Sequence, residues 1–451
     1  MAATAPPGPR GSLLLGNLRE FARDNLRFFQ RQIREHGDVV GGRLFNRRFV
    51  VLGHPDLVEQ VLLAQHKNFV KHSFFWRHVT ALFGRGLLVS EGEVWLRQRR
   101  LAAPAFHSRR IAAYADVMVA FTERMLDGWR DGERRDAHQE MMRLTMQIVA
   151  KTLFDAEVSE DHGEVSRAFD DVVEEISLRF RQPLPIPDWV PIARNRRYLA
   201  AVRQLDRLVY RFIAERRADP RDRGDLLSML LAARDDDGGG MSDRQVRDEV
   251  ITLFLAGHET TAIALSWTWY LLARHPEAES RLAAELDAVL GGRAPGLDDL
   301  PRLLYAEQVV KESMRLFPPA YAFGREAIAD CEIGGYRVPA KTTVFMSQWA
   351  MHRDGRFFPD PEAFRPERWT ADFEAALPRY AYLPFGGGPR VCIGNRFAMM
   401  EAVLLLATVA QRYRLQLASA AEIEPFASIT LRPVGGVPVR LQARQRAASA
   451  A

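Results

Sequence analysis

Two short runs hold the residue types that could do chemistry. The first, Phe385-Gly386-Gly387-Gly388-Pro389-Arg390-Val391-Cys392-Ile393-Gly394, suspends one cysteine in a glycine-rich loop just ahead of an apolar helical stretch that begins near Asn395. Glycines at 386, 387, 388 and 394 permit backbone angles closed to other residues and let a large flat ligand approach the main chain. Loop amides and the dipole of the following helix favour a thiolate over a thiol, the form a metal ligand must take. Arg390 offers a fixed fork of donors to a carboxylate. The bland alternative is a turn around a buried, inert cysteine. The second run, Ala256-Gly257-His258-Glu259-Thr260-Thr261, places a glycine, an acid and two hydroxyl residues inside an apolar pattern. Gly257 lowers helix stability by about 1 kcal/mol relative to alanine. A threonine hydroxyl can bond back to the preceding turn, so a bend with local widening is expected there. An acid beside an alcohol, Glu259 and Thr260, is suited to moving protons. His258 reads as a satisfied structural histidine.

These runs must be positioned by long elements. The chain has 451 residues, 47% of them apolar, enough for one large core. With 62 basic and 57 acidic residues the net charge is +5, and no basic tract or aromatic-basic signature points to nucleic acid. The apolar stretch from Val250 to Ala273 has the length of a membrane span, but His258 and Glu259 near its centre argue for a buried helix instead. Ser242 with Gln245 predicts a capping box, and Pro276 marks the far end. A helix from Asp243 to Arg274 would measure roughly 45 Å, at about 1.5 Å per residue, and cross a whole domain. Arg43-Leu44-Phe45, Phe49-Val50-Val51-Leu52 and Thr342-Thr343-Val344-Phe345 read as short strands. The loop-like stretches Asp235 to Gly240 and Gly291 to Gly296 read as surface turns.

The cysteine run resembles the haem-binding signature of the cytochrome P450 family, Phe-x-x-Gly-x-Arg-x-Cys-x-Gly, with every specified position present. The run at 256–261 resembles that family's Ala/Gly-Gly-x-Asp/Glu-Thr-Thr/Ser motif and stands at a suitable distance before it. The resemblance spans essentially the whole chain. It implies a mainly α-helical prism with a smaller β-rich lobe, the cytochrome P450 fold, as a single domain over residues 1–451 without a membrane anchor or a fused reductase. It also implies that Cys392 is the axial iron ligand of haem b, with O2 as co-substrate. Arg390, the pair Trp95 and Arg99, and Arg325 would hold haem propionates, and Phe385 and Gly386 would form the cradle. Thr260 would act at the dioxygen site and Glu259 would relay protons from solvent. Glu312 and Arg315, three apart on a helix, with Arg368 from Pro366-Glu367-Arg368-Trp369, would form a buried structural cluster. His352 matches a structural segment outside the site.

Further expectations follow from the resemblance. The reaction is a monooxygenation of a lipophilic substrate such as a fatty acid or terpenoid, facing Phe74, Phe75, Phe83, Ala256 and Tyr321. Arg47 or Arg48 could anchor a carboxylate at a channel mouth. Electrons would come from NAD(P)H only indirectly, through a ferredoxin or flavodoxin and a separate reductase. A basic cluster of Arg97, Arg99, Arg100, Arg109 and Arg110 could dock an acidic carrier, or be a solvated helix face. The two cysteines, Cys331 and Cys392, leave no disulfide once one holds iron, which fits a reducing compartment. Pro6-Pro7-Gly8-Pro9 resembles the proline hinge that follows the anchor of eukaryotic members. The expectation is a cytoplasmic, monomeric bacterial enzyme. Two rivals stay open: a peroxide-driven peroxygenase, which would lack the acid–alcohol pair, and a non-catalytic haem-binding or haem-sensing protein, which would need no proton relay.

Overall fold

The computed structural model describes residues 4–71, 79–155, 186–219, 221 and 223–444, with isolated positions between 168 and 179. Its helices include α1 (Gly92–Ala102), α2 (Ala137–Phe154), α3 (Ala193–Ala218), α4 (Asp243–Arg274), α5 (Leu304–Leu316) and α6 (Asn395–Arg412). Helix α4 is the axis of the molecule. Its 32 residues run between the predicted ends, and nearly every side chain from Val246 to Leu272 is buried, the pattern of a helix walled in on all sides. Helices α2, α3, α5 and α6 supply the walls. By length and composition α4 could cross a membrane, but most of its apolar window is buried inside the protein. The expected capping box is only half formed. Ser242 Oγ accepts from the Gln245 amide at 3.3 Å, while the Gln245 side chain turns away to accept from Arg97.

A smaller lobe carries a five-stranded sheet of β1 (Val39–Leu44), β2 (Arg47–Leu52), β3 (Phe69–Val70), β4 (Phe323–Ala327) and β5 (Thr343–Met346), in the order β1-β2-β5-β4-β3. Only β2 and β5 run parallel, with Val51 opposite Phe345. The predicted strand at 43–45 ends one residue early, because Phe45 takes a left-handed φ of 54° in the hairpin turn. A separate two-stranded hairpin, β6 (Pro425–Ala427) and β7 (Leu431–Pro433), lies against α4. It is fixed there by Trp267, whose ring stacks on Phe317 at 4.0 Å and whose Nε1 donates to the Leu431 carbonyl at 2.7 Å.

The structure brings Glu312, Arg315 and Arg368 into one buried cluster. Glu312 and Arg315 are fully buried and pair through two bonds of 2.9 Å, and Arg368 Nε adds a third at 3.0 Å. The indole of Trp369 and the Arg365 amide complete the carboxylate at 2.9 Å each. Arg315 spends its remaining donors on the carbonyls of His352, Pro361 and Ala363. His352 in turn accepts from the Leu383 amide at 3.0 Å through Nε2, two residues before Phe385. Burial, aided by Arg315 and Arg353, pushes this imidazole down to about 3, so it stays neutral and keeps a lone pair for that bond. The cluster thus anchors the segment leading into the cysteine loop. Removing one partner from a buried ion network costs about 3–5 kcal/mol, because the others are left charged and unpaired. Glu312→Ala is therefore expected to lose that much unfolding free energy in urea denaturation, and a loss under about 1 kcal/mol would show that the cluster is not a foundation of the fold.

Candidate active site

The cysteine loop is shaped by two glycines that nothing else could replace. Gly388 has a φ of 65°, and a Cβ there would stand 2.1 Å from the Leu62 carbonyl oxygen; at Gly387 it would meet the Tyr380 ring at 2.2 Å. Gly386, also left-handed at 69°, faces open space instead and lines the central cavity together with Phe385. The Cys392 amide closes the loop on the Phe385 carbonyl at 3.0 Å. Helix α6 then starts directly, with Gly394 as its first cap. The Cys392 thiol is exposed to the cavity yet withdrawn from bulk water. That burial pushes it up, against the Gly394 amide, Arg99 and Lys71, which favour the thiolate.

Four cations converge beside the loop. Arg390 lies 4.4 Å over the Trp95 ring, and its Nη2 bonds the Ser90 carbonyl and the Glu91 carboxylate, while its buried Nη1 has no partner among the described residues. Arg99, one turn beyond Trp95 on α1, lines the same cavity and is drawn down by burial. Arg325 on β4 is 6% exposed, donates only to the Gly324 carbonyl among the described residues, and is pushed down to about 10 by burial and by the neighbouring Arg390. Lys71, which sequence reasoning missed, is pushed down to about 7, first by burial and then by Arg325 and Arg390. Its position just after β3 carries no motif. Among the described residues Glu91 is the carboxylate set between them, and four cations against one acid leave a site with an appetite for anions.

Across the cavity, α4 presents the acid–alcohol run. The helix runs through it unbroken. Gly257 lets α2 approach, since a Cβ there would touch Val149 at 3.3 Å. Thr260 Oγ1 donates to the Ala256 carbonyl at 2.6 Å. Glu259 is buried and accepts on Oε1 from Thr430 at 2.6 Å and from Arg432 Nε and Nη2 at 2.9 and 2.6 Å. His258 faces the other way, toward the Met142 carbonyl, and burial drops it to about 4. Thr430 and Arg432 lie some 170 residues downstream, in a segment with no recognisable pattern. Glu401 on α6 is a further buried acid that the sequence reading passed over; burial lifts it to about 8, opposed by Thr261.

Between these walls lies a cavity of about 1360 Å³, larger than the ~300–1,000 Å³ of ordinary ligand sites. Phe83, Ala256, Tyr321, Leu253, Phe426 and Ile429 are among its apolar lining. Tyr321 also bonds Asn25 and the Ser428 carbonyl. Phe74 and Phe75 lie outside the described residues. Arg47 and Arg48 line one extremity of the cavity. Of the expected basic docking cluster, Arg97 is engaged with Asp235 and Gln245, and Arg99 turns inward. Arg109 and Arg110 are exposed beside Ser108, which accepts from Arg396 of α6.

The residues present fit one kind of cofactor. No group of three or more His, Cys, Asp or Glu among the described residues could hold a bare metal ion. A single thiol beside a cationic slot suits a metal that arrives in an anionic macrocycle, as in thiolate-ligated haem proteins. The comparisons agree. The family profile described as Cytochrome P450 matches residues 6–436. Cyclooctatin synthase of Streptomyces melanosporofaciens is 41% identical over 95% of this chain and 94% of its own. Pentalenene oxygenase of Streptomyces avermitilis is 36% identical over 98% of each. The crystal structure of the cytochrome P450DA heme domain superposes with a TM-score of 0.91 at 27% identity, covering 99% of both chains. The chain belongs to the cytochrome P450 family, and it is a monooxygenase whose family uses haem iron, O2, a lipophilic substrate and redox partners.

The cation cluster makes a checkable demand. Lys71→Met and Arg325→Gln should each speed loss of haem to an excess of apomyoglobin by about tenfold, the ~1.4 kcal/mol of one charge-assisted hydrogen bond. Unchanged transfer rates in both would remove these residues from the cofactor site.

Proposed function

We propose that the enzyme hydroxylates a cyclic terpenoid at haem b held by Cys392, with Trp95, Arg99, Arg325, Arg390 and Lys71 binding the propionates and Phe385 and Gly386 forming the cradle. The observation that carries this reading is the placement of one cavity-facing thiol opposite the Glu259–Thr260 pair, with the cation cluster at the side. When bound, thiolate-ligated haem supplies dioxygen activation, the sulfur donating electron density that favours O–O cleavage. The net reaction takes RH, O2, two electrons and two protons to ROH and water. The protein's part is to deliver those protons and keep bulk water out. Thr260 can give up its bond to Ala256 and turn its hydroxyl into the cavity, and Glu259 can resupply it. Leu253, Phe426 and Ile429 exclude solvent and hold an apolar molecule by burial. The substrate class is supported by the relatives named above and by cyclooctat-9-en-7-ol 5-monooxygenase of Streptomyces melanosporofaciens, 40% identical over 92% of this chain.

A fatty acid is the second reading, favoured by Arg47 and Arg48 at the cavity's extremity. Electrons reach the site from NAD(P)H through a ferredoxin or flavodoxin and its reductase, with Arg109 and Arg110 as the docking charges. The protein works as a cytoplasmic monomer of one domain. The Glu259–Thr260 pair speaks against both a peroxide-driven enzyme and a passive haem sensor.

Two measurements test this. The reduced, carbon monoxide-treated protein should show the haem-thiolate difference band, and Cys392→Ala should lose it; a retained band would end the ligand assignment. Pentalenene should then shift the Soret band more strongly than lauric acid, and the reverse order would replace the terpenoid with the fatty acid. In turnover, Thr260→Ala should divert electrons to hydrogen peroxide severalfold while binding substrate unchanged.

A further inference from the structure

We propose that Arg432 is a positioning residue that restrains the proton-carrying acid, and that its hairpin links that restraint to the contents of the cavity. This rests on the functional reading above. Every hydrogen bond to Glu259 among the described side chains lands on Oε1 and comes from Thr430 or Arg432; Oε2 receives none. The acid is therefore held by one short hairpin of the cavity wall rather than by its own helix. Arg432 is 26% exposed along its side chain, so the guanidinium stands between the buried carboxylate and solvent.

The hairpin is tied down most firmly at Leu431, with a second tie in its turn, where the Tyr321 hydroxyl donates to the Ser428 carbonyl at 2.8 Å. Leu431 is pinned on both edges, its carbonyl by the Trp267 indole at 2.7 Å and its amide by the Pro319 carbonyl at 3.0 Å. Arg432 pairs in register with Phe426 on the facing strand. Phe426, Ala427, Ser428 and Ile429 all line the cavity. Strands of three residues carry little stability of their own. A ligand pressing on Ile429 in the turn, or on Phe426 directly opposite Arg432, therefore tilts the hairpin about Leu431 and shifts the guanidinium. In the structure Glu259 is tied to Arg432 and Thr260 to Ala256. Filling the cavity frees the acid, so protons are delivered when a substrate is there to use them.

The test uses the haem-loaded, full-length enzyme with a ferredoxin and its reductase, and pentalenene as the probe, or lauric acid if pentalenene gives no Soret shift. Difference infrared spectra against Glu259→Gln isolate the Glu259 carboxylate stretches. In the wild type the probe should move these bands, and in Arg432→Gln they should start displaced and stay put. Arg432→Gln should also raise the share of electrons lost to hydrogen peroxide at least threefold and change the solvent isotope effect. Oxidation driven by iodosylbenzene, which transfers one oxygen atom and needs no protons, should stay within twofold. Arg432→Lys, keeping the charge, should recover most of the coupling, and adding Arg432→Gln to Glu259→Gln should do no further harm. Should Arg432→Gln fail to fold, Thr430→Val, which removes one donor to the same oxygen, should give the same pattern at smaller size. The proposal is overturned by unmoved infrared bands and unchanged peroxide yield, or by an equal loss of iodosylbenzene oxidation, which would mark a packing role. Absence of the haem-thiolate band in the wild type would instead overturn the functional reading.

Discussion

An imbalance of buried charge governs this structure. Lys71, Arg99, Arg325 and Arg390 arrive from four different segments at one wall of the cavity, where Glu91 is the carboxylate among them. Taking cations out of water is costly unless each finds a partner. The displacement of Lys71 to about 7 and Arg325 to about 10 records that cost. The polypeptide maintains the cluster because other parts are overbuilt: a walled-in axial helix, and a Glu312 network that satisfies its carboxylate with five donors. Four cations around one acid make that wall suited to an anionic group.

The two faces of the cavity are held by different means. On the sulfur side, backbone contact does the work, with Gly387 and Gly388 wedged against Tyr380 and Leu62. On the opposite side the reactive groups are held by side-chain hydrogen bonds that can be exchanged, Thr260 to Ala256 and Glu259 to Arg432. The thiol is thus held rigidly, while the acid and the alcohol are held by exchangeable bonds.

Much of this was legible beforehand because it is local. The ends of α4 follow from Ser242 and Pro276, and the cysteine loop from its glycines, since caps and turns depend on neighbours in sequence. The Glu312 cluster was readable from a motif, although its tie through His352 to Leu383 was not. Lys71, Thr430 and Arg432 were invisible for a physical reason: each acts on a residue brought near only by tertiary packing, and each sits in an unremarkable local pattern. The reading also erred where a local rule met a competing partner. Gln245 bonds Arg97 instead of closing the capping box.

The neutrality of His352 has a bearing on how the enzyme lives with acid. Its Nε2 lone pair fastens the backbone two residues before Phe385, and because protonation waits until about 3, ordinary swings in cellular acidity leave the sulfur's mooring untouched. Below that point the same nitrogen would gain a proton where it now accepts one, and the fastening would turn to repulsion. The loop's fastening thus rests on a neutral imidazole outside the cavity lining.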